Sequence, residues 1–223
     1  MDLTRDYLAS IMDHTMLKAF ATVSDIKRVC AEAVAIGAAS VCINPLYVPL
    51  AREELQHSNV KVCTVIGFPL GANTVNSKAD ETREAIYNGA DEIDMVVNIG
   101  AVKADDRDLV FRDIRAVVAE ADNALVKVII EACYLTDAEK IWVCDLAVKA
   151  GAGFVKTSTG FGTSGATRQD VELMRSVVPE NVGVKAAGGI RTLADAISLL
   201  EAGASRLGVS ASLSILSELK APK

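Results

Sequence analysis

The chain has 223 residues, which suits one large domain or two small ones. Hydrophobic residues make up 51% and charged residues 23%, so a sizeable core forms and global disorder is excluded. A net charge of −6 with no basic run excludes nucleic acid or an anionic membrane as a partner held by net charge, while a small phosphate remains possible through backbone amides and one Lys.

The start, Met1-Asp2-Leu3-Thr4-Arg5-Asp6, carries both signs of charge and does not read as a signal peptide. No apolar run approaches the ~20 residues that span a bilayer. Cys30, Cys42, Cys63, Cys133 and Cys144 are odd in number and lack C-x-x-C spacing, and His14 and His57 are the only imidazoles. Neither a disulfide framework nor a zinc site is expected, and the chain reads as a reduced, cytoplasmic protein.

In chain order, a first strand is expected near Ala9–Asp13, then a helix over Ser24–Ile36 and a strand over Ser40–Asn44. A short helix over Val48–Leu55 precedes a strand over Lys61–Gly67, and a helix over Asn76–Tyr87 precedes a strand over Glu92–Asn98. A helix over Asp106–Ala121 leads to a strand over Leu125–Ala132, and one over Thr136–Ala150 to Phe154–Thr159. The last pairs are helix Thr167–Val178 with strand Gly183–Gly189, and helix Thr192–Glu201 with strand Arg206–Ser210, before a final helix begins at Ala211-Ser212-Leu213. Several helices start at Ser, Thr or Asn, as N-caps do.

Four helices end in Gly followed by Ala: Gly37-Ala38, Gly89-Ala90, Gly151-Ala152 and Gly203-Ala204. A Gly there turns the chain back cheaply through a left-handed conformation. The glycines lie 52, 62 and 52 residues apart, two strand-helix units per interval. Alternating strands and helices require a parallel sheet covered by helices. Eight units with no remainder favour an α/β fold of the (β/α)8 TIM-barrel type, one domain over residues 1–223, over an open doubly wound sheet. No G-x-G-x-x-G follows the first clear strand, which weakens the dinucleotide-binding form of the open sheet.

Lys127, Lys156 and Lys185 interrupt apolar strands at intervals of 29 and 29 residues, so they are expected at comparable points of three successive strands. Strand alternation turns Lys127, Ile129 and Glu131 inward, Lys156 with Phe154 and Ser158, and Lys185 with Ala187. An inward lysine is costly unless paired or neutral. Neighbouring cations and desolvation favour the neutral amine, which is the nucleophile that forms a Schiff base. The alternative is that each lysine only pairs with Glu131, Asp94 or another carboxylate. Asp94 and Asn98 are expected inward, and a carboxylate beside lysines can hold a water or pass a proton. Asp13 ends the weak first strand, and His14 beside it is placed near the site. His57 lies in a polar turn and is expected to be solvated. Cys42 alternates inward with Asn44 and reads as packing. Gly188-Gly189 and Ser210 end the last two strands, where barrels often bind phosphate, and Thr159-Gly160 adds donors. Spacing leaves open which lysine would be the nucleophile.

The strings Phe154-Val155-Lys156-Thr157-Ser158-Thr159-Gly160 and Gly183-Val184-Lys185-Ala186-Ala187-Gly188-Gly189-Ile190-Arg191 resemble the two signatures of deoxyribose-phosphate aldolases. Met12-Asp13-His14-Thr15, Val41-Cys42-Ile43-Asn44-Pro45, Glu92-Ile93-Asp94-Met95-Val96 and Lys127-Val128-Ile129-Ile130-Glu131 match the same pattern in order. The resemblance implies a class I aldolase that needs neither metal nor cofactor. It would cleave 2-deoxy-D-ribose 5-phosphate to D-glyceraldehyde 3-phosphate and acetaldehyde in deoxyribonucleoside catabolism. It further implies Lys156 as the Schiff-base residue, Lys185 as the charge that keeps it neutral, and Asp94 as the acidic member of a proton shuttle. Asp13, Thr15, Cys42 and Lys127 would support the pocket, and Thr159, Gly160, Gly188, Gly189 and Ser210 would hold phosphate. A homodimer or homotetramer is implied as well. Two departures stand out. The chain ends Leu219-Lys220-Ala221-Pro222-Lys223, without the terminal tyrosine of some members, and Phe161 replaces a phosphate-binding lysine. Two other readings remain: another Schiff-base aldolase on a keto acid or phosphosugar, and a non-catalytic phosphosugar-binding barrel.

Overall fold

The computed structural model describes residues 3–219. Eight strands close into one parallel barrel in sequence order. They are β1 (Met12–Met16), β2 (Ser40–Ile43), β3 (Lys61–Ile66), β4 (Glu92–Val96), β5 (Leu125–Ile129), β6 (Phe154–Lys156), β7 (Gly183–Ala187) and β8 (Arg206–Val209), and β8 pairs back onto β1. The helices are α1 (Arg5–Ser10), α2 (Val23–Ile36), α3 (Val48–Leu55), α4 (Val75–Tyr87), α5 (Ile99–Lys103), α6 (Arg107–Glu120), α7 (Asp137–Ala150), α8 (Arg168–Val177), α9 (Leu193–Glu201) and α10 (Ser212–Ser217). The open doubly wound alternative is therefore ruled out. Among the described residues no helix is long and apolar enough to cross a membrane.

Local chemistry sets the helix ends. Thr22, Thr136 and Thr192 each form a reciprocal cap with an acidic residue three positions on: Asp25, Glu139 and Asp195. Each such cap is worth about 1 kcal/mol. Gly37 (φ 71) and Gly151 (φ 96) end α2 and α7 in the left-handed conformation, as the Gly-Ala rhythm requires.

The expected first strand at Ala9–Asp13 is corrected. Residues 5–10 are helical, capped by the Thr4 hydroxyl accepting from the Tyr7 amide at 3.2 Å, and β1 begins only at Met12. Leu8 and Ala9 are buried as part of that helix, so their apolar character reflects helix packing. Asn98 is likewise not a strand residue. Its side chain caps α5, accepting from the Ala101 amide at 3.0 Å.

The core has two compartments. Outward-facing strand residues such as Val41, Ile93, Val128, Val155, Val184 and Leu207 pack with the helices. Inside the barrel, Leu17, Cys42, Cys63 and Val65 form a separate small cluster with Phe68 against it. The remaining interior, built from β4 to β8 and from Asp13 on β1, is ionic.

One buried ion pair lies outside the barrel. Lys78 on α4 is fully enclosed, 2.5 Å from Asp113 Oδ2 on α6, and donates to the Val96 carbonyl at 2.8 Å. Gly67 (φ +62) makes room, because a Cβ there would sit 2.7 Å from Lys78 Cε. The pair clasps α4 and α6 to the end of β4. Removing one partner strands the other charge, so Asp113→Ala is expected to cost about 3–5 kcal/mol in urea unfolding. The double variant Lys78→Met/Asp113→Leu should recover most of that loss; a double variant as unstable as the single one would contradict this account.

Candidate active site

The ionic half of the barrel interior gathers four cations and three carboxylates. Lys127 Nζ lies 2.6 Å from Glu92 Oε2, 2.9 Å from Asp94 Oδ1 and 3.9 Å from Asp13 Oδ2. Lys185 Nζ is 2.6 Å from Asp94 Oδ2 and also pairs with Asp13 Oδ2. Lys156 Nζ reaches the same Asp94 oxygen at 2.8 Å. Arg206 closes the set, 2.8 Å from Asp13 Oδ1 and 3.5 Å from Glu92 Oε1. With every group ionised, the buried set carries one surplus positive charge.

Burial alone would raise the Asp94 carboxyl, but Lys127, Lys156 and Lys185 outweigh it and hold Asp94 well below the usual carboxylate range. Asp13 follows the same logic: burial is overcome by Lys185, Lys127 and Arg206, and its carboxyl is also lowered. Burial would lower the Lys185 ammonium, yet Asp13 and Asp94 drive it upward. Lys127 is raised against burial by Asp94, Cys63, Asp13 and Glu92. Lys127 and Lys185 are thus locked as cations, and Asp13 and Asp94 as anions.

The equal intervals do not put the three lysines level. Lys156 pairs directly with Lys185, but Lys127 pairs with Phe154, and Ile129 is the partner of Lys156. Lys127 therefore sits two residues deeper. Register follows the hydrogen-bond ladder, which equal unit lengths do not specify.

Access separates them further. Lys127 and Lys185 are 0% exposed, whereas Lys156 is 3% exposed and borders a cavity of about 170 Å³. Thr15, Thr159, Gly160, Gly188, Gly189 and Ser210 line the same cavity, with Leu17, Ala187 and Gly208. A second cavity of about 430 Å³ shares Thr15, Leu17, Thr159, Gly160 and Ser210, and adds Lys18, Arg28 and Phe161. Gly160, Gly188 and Gly189 all have positive φ (87, 84 and 79). A Cβ on Gly188 would lie 3.1 Å from the Gly165 Cα, so this floor is bare backbone packed on backbone.

Not every expected site residue lines the cavity. Asp13, Cys42, Asp94, Lys127 and Lys185 are fully buried and line neither cavity, Cys42 against Cys63 and the other four in the ion cluster. Glu131 faces no lysine. It leaves the strand in a left-handed conformation and binds Thr159, accepting from its amide at 3.1 Å and from its hydroxyl. His14 is corrected: alternation on β1 turns it out of the barrel, toward Ser212 and Glu32. His57 is exposed, as expected. The residues past 219, including most of the terminal tail, lie outside the described residues.

Sequence reasoning missed Glu92, Arg206 and Cys63. Glu92 and Arg206 open their strands and read as boundary charges. Their signal was alternation: Glu92 is two before Asp94, and Arg206 four before Ser210. Cys63 donates to Asp94 Oδ1 at 3.2 Å and would have been found as the register partner of Cys42.

A model of the DeoC/LacD family aldolases matches residues 7–218. The chain belongs to this aldolase family. It is 59% identical over 210 residues to a deoxyribose-phosphate aldolase of a Geobacillus species, 94% of each chain. It is 56% identical over 214 residues to one from Streptococcus suis, covering 96% of this chain and 97% of that one. Among solved structures, the deoxyribose-phosphate aldolase of Aeropyrum pernix, described as having a unique tetrameric structure, superposes with a TM-score of 0.90 at 34% identity, over 96% of this chain and 91% of that one. Family membership makes the chain a carbon-carbon lyase and sets aside the non-catalytic barrel.

The cluster predicts a pH window for stability. Asp13 and Asp94 titrate below their unfolded value of about 3.9, so their contribution is complete above about pH 4 and is lost as pH falls toward the folded values. Lys127 and Lys185 titrate above about 10.4, so theirs is complete below about pH 10 and is lost as pH rises. Urea midpoints across pH should show Asp13→Asn destabilised by about 3–5 kcal/mol at pH 7, with a shallower acid limb than wild type. An identical acid limb would refute a buried Asp13 anion.

Proposed function

We propose that this aldolase cleaves 2-deoxy-D-ribose 5-phosphate to D-glyceraldehyde 3-phosphate and acetaldehyde through a Schiff base on Lys156. The observation that carries the reading is that Lys156 alone of the three lysines borders the cavity. It also has one carboxylate neighbour, Asp94, where Lys185 has two and Lys127 three. Lys156 is thus the lysine with the fewest carboxylates around it.

The chemistry follows. The neutral Lys156 amine attacks the C1 carbonyl of the open-chain sugar; the carbinolamine hydroxyl takes one proton from water in the cavity and leaves as water, giving a cationic iminium, and the proton is returned when the iminium is finally hydrolysed. The C3 hydroxyl gives up its proton, C3 becomes a carbonyl, and the C2–C3 bond breaks. Its electron pair flows into the iminium and leaves an enamine. Protonation at C2 and hydrolysis then release acetaldehyde and the free amine. The fixed Asp94 anion stabilises the iminium, and a water entering from the cavity at Lys156 carries the proton under the field of the directly paired Asp94 and Lys185. Lys185 remains a cation in the resting cluster and disfavours a second positive charge beside it. Asp13, Lys127, Glu92 and Arg206 hold that arrangement from below.

The phosphate would lie at Gly160, Gly188, Gly189 and Ser210, where bare backbone lets an anion approach. Phe161 packs edge-on against Phe68 and supplies no charge, so backbone donors carry the binding, with Lys18 and Arg28 adding attraction from the second cavity. Five free cysteines support a reducing, cytoplasmic setting, and the tetrameric relative supports a homo-oligomer.

Borohydride reduction with acetaldehyde or deoxyribose phosphate, followed by peptide mapping, should place the adduct on Lys156. Lys156→Ala should lower kcat by about 10³-fold or more. An adduct on Lys185 only, or none, would refute the assignment.

A further inference from the structure

The wall of the cavity at Ser210 is held from outside the barrel. Ser210 follows β8, and two residues later Ser212 opens α10. Ser212 is fully buried, and its Oγ lies 2.9 Å from His14 Nδ1. His14 Nε2 is in turn 2.8 Å from Glu32 Oε2 on α2. The other oxygen of Glu32 accepts from Arg28 Nη1 at 2.9 Å, and Arg28 borders the second cavity beside Ser210. One line of contacts thus runs from the β8–α10 turn through β1 to α2 and returns to the cavity. A buried imidazole with a partner on each nitrogen has one orientation only, and that orientation fixes where Ser212 sits. Ser212 Oγ also lies 3.4 Å from the Val209 carbonyl, so the same side chain ties both ends of the turn that carries Ser210.

We propose that His14 is a positioning residue: through Ser212 it holds the Ser210 turn where the turn meets the substrate's phosphate. It touches neither the ion cluster nor the reacting carbons, so its loss should weaken phosphate recognition rather than bond cleavage. The inference rests on the reading that Ser210 lies at the phosphate end.

The test is kcat and KM of the full chain on 2-deoxyribose 5-phosphate and on 2-deoxyribose. The readout is the ratio of the two kcat/KM values. In His14→Leu and Ser212→Ala that ratio is expected to fall about tenfold, through a higher KM for the phosphorylated sugar, with its kcat within about threefold of wild type. His14→Asn, whose side-chain amide falls near imidazole Nδ1 and can turn either its oxygen or its nitrogen to the Ser212 hydroxyl, should keep the Ser212 contact and restore most of the ratio. If kcat falls equally on both substrates with the ratio unchanged, His14 is merely structural and the proposal is overturned. Should His14→Leu fail to fold, Ser212→Ala carries the same comparison. A wild-type chain that cleaves neither sugar overturns the proposed substrate itself, a result distinct from an unchanged ratio in an active enzyme.

Discussion

A single carboxylate, that of Asp94, is shared by three ammonium groups in the middle of a closed barrel. Each charge there would be prohibitive alone, because burial strips its water. Together with Asp13, Glu92 and Arg206 the set nearly balances. With every group ionised the four cations exceed the three carboxylates by one.

The barrel makes this sharing possible because its strands converge on one axis. Asp94 meets residues from β5, β6 and β7, which are 33, 62 and 91 positions away along the chain. The interior is also divided. Leu17, Cys42, Cys63 and Val65 form an apolar cluster, while Lys156 borders the cavity lined by Thr159, Gly160, Gly188 and Gly189. Gly208 leaves room beside the cluster: a Cβ there would lie 2.9 Å from Ala187 Cβ and 3.1 Å from Lys185 Cε. The outer shell contributes through Lys78, which anchors the end of the strand that carries Asp94.

Much of this was legible in the chain. The Gly-Ala helix ends and the threonine caps act locally, so they announce strand-helix units without reference to the fold. The inward lysines were legible because alternation along a strand is a backbone property. The resemblance of the two lysine strings then singled out Lys156. Other features were not legible. Leu8 and Ala9 look the same whether they pack as a strand or a helix. Glu92 and Arg206, at strand starts, look like surface charges until the barrel closes over them. His14 seemed part of the site by adjacency to Asp13, but neighbours on a strand face opposite ways.

Local patterning along the chain carries the number and order of the strand-helix units, the face of residues well inside a strand, and the kinds of charge brought inside. These depend on contacts within a few residues. Only the folded barrel places Lys127 two residues deeper than Lys156, brings Lys156 and not Lys185 to the edge of the cavity, and makes Asp94 the shared partner of all three. Those facts depend on ladder register and barrel closure, which join residues dozens of positions apart and leave no local trace.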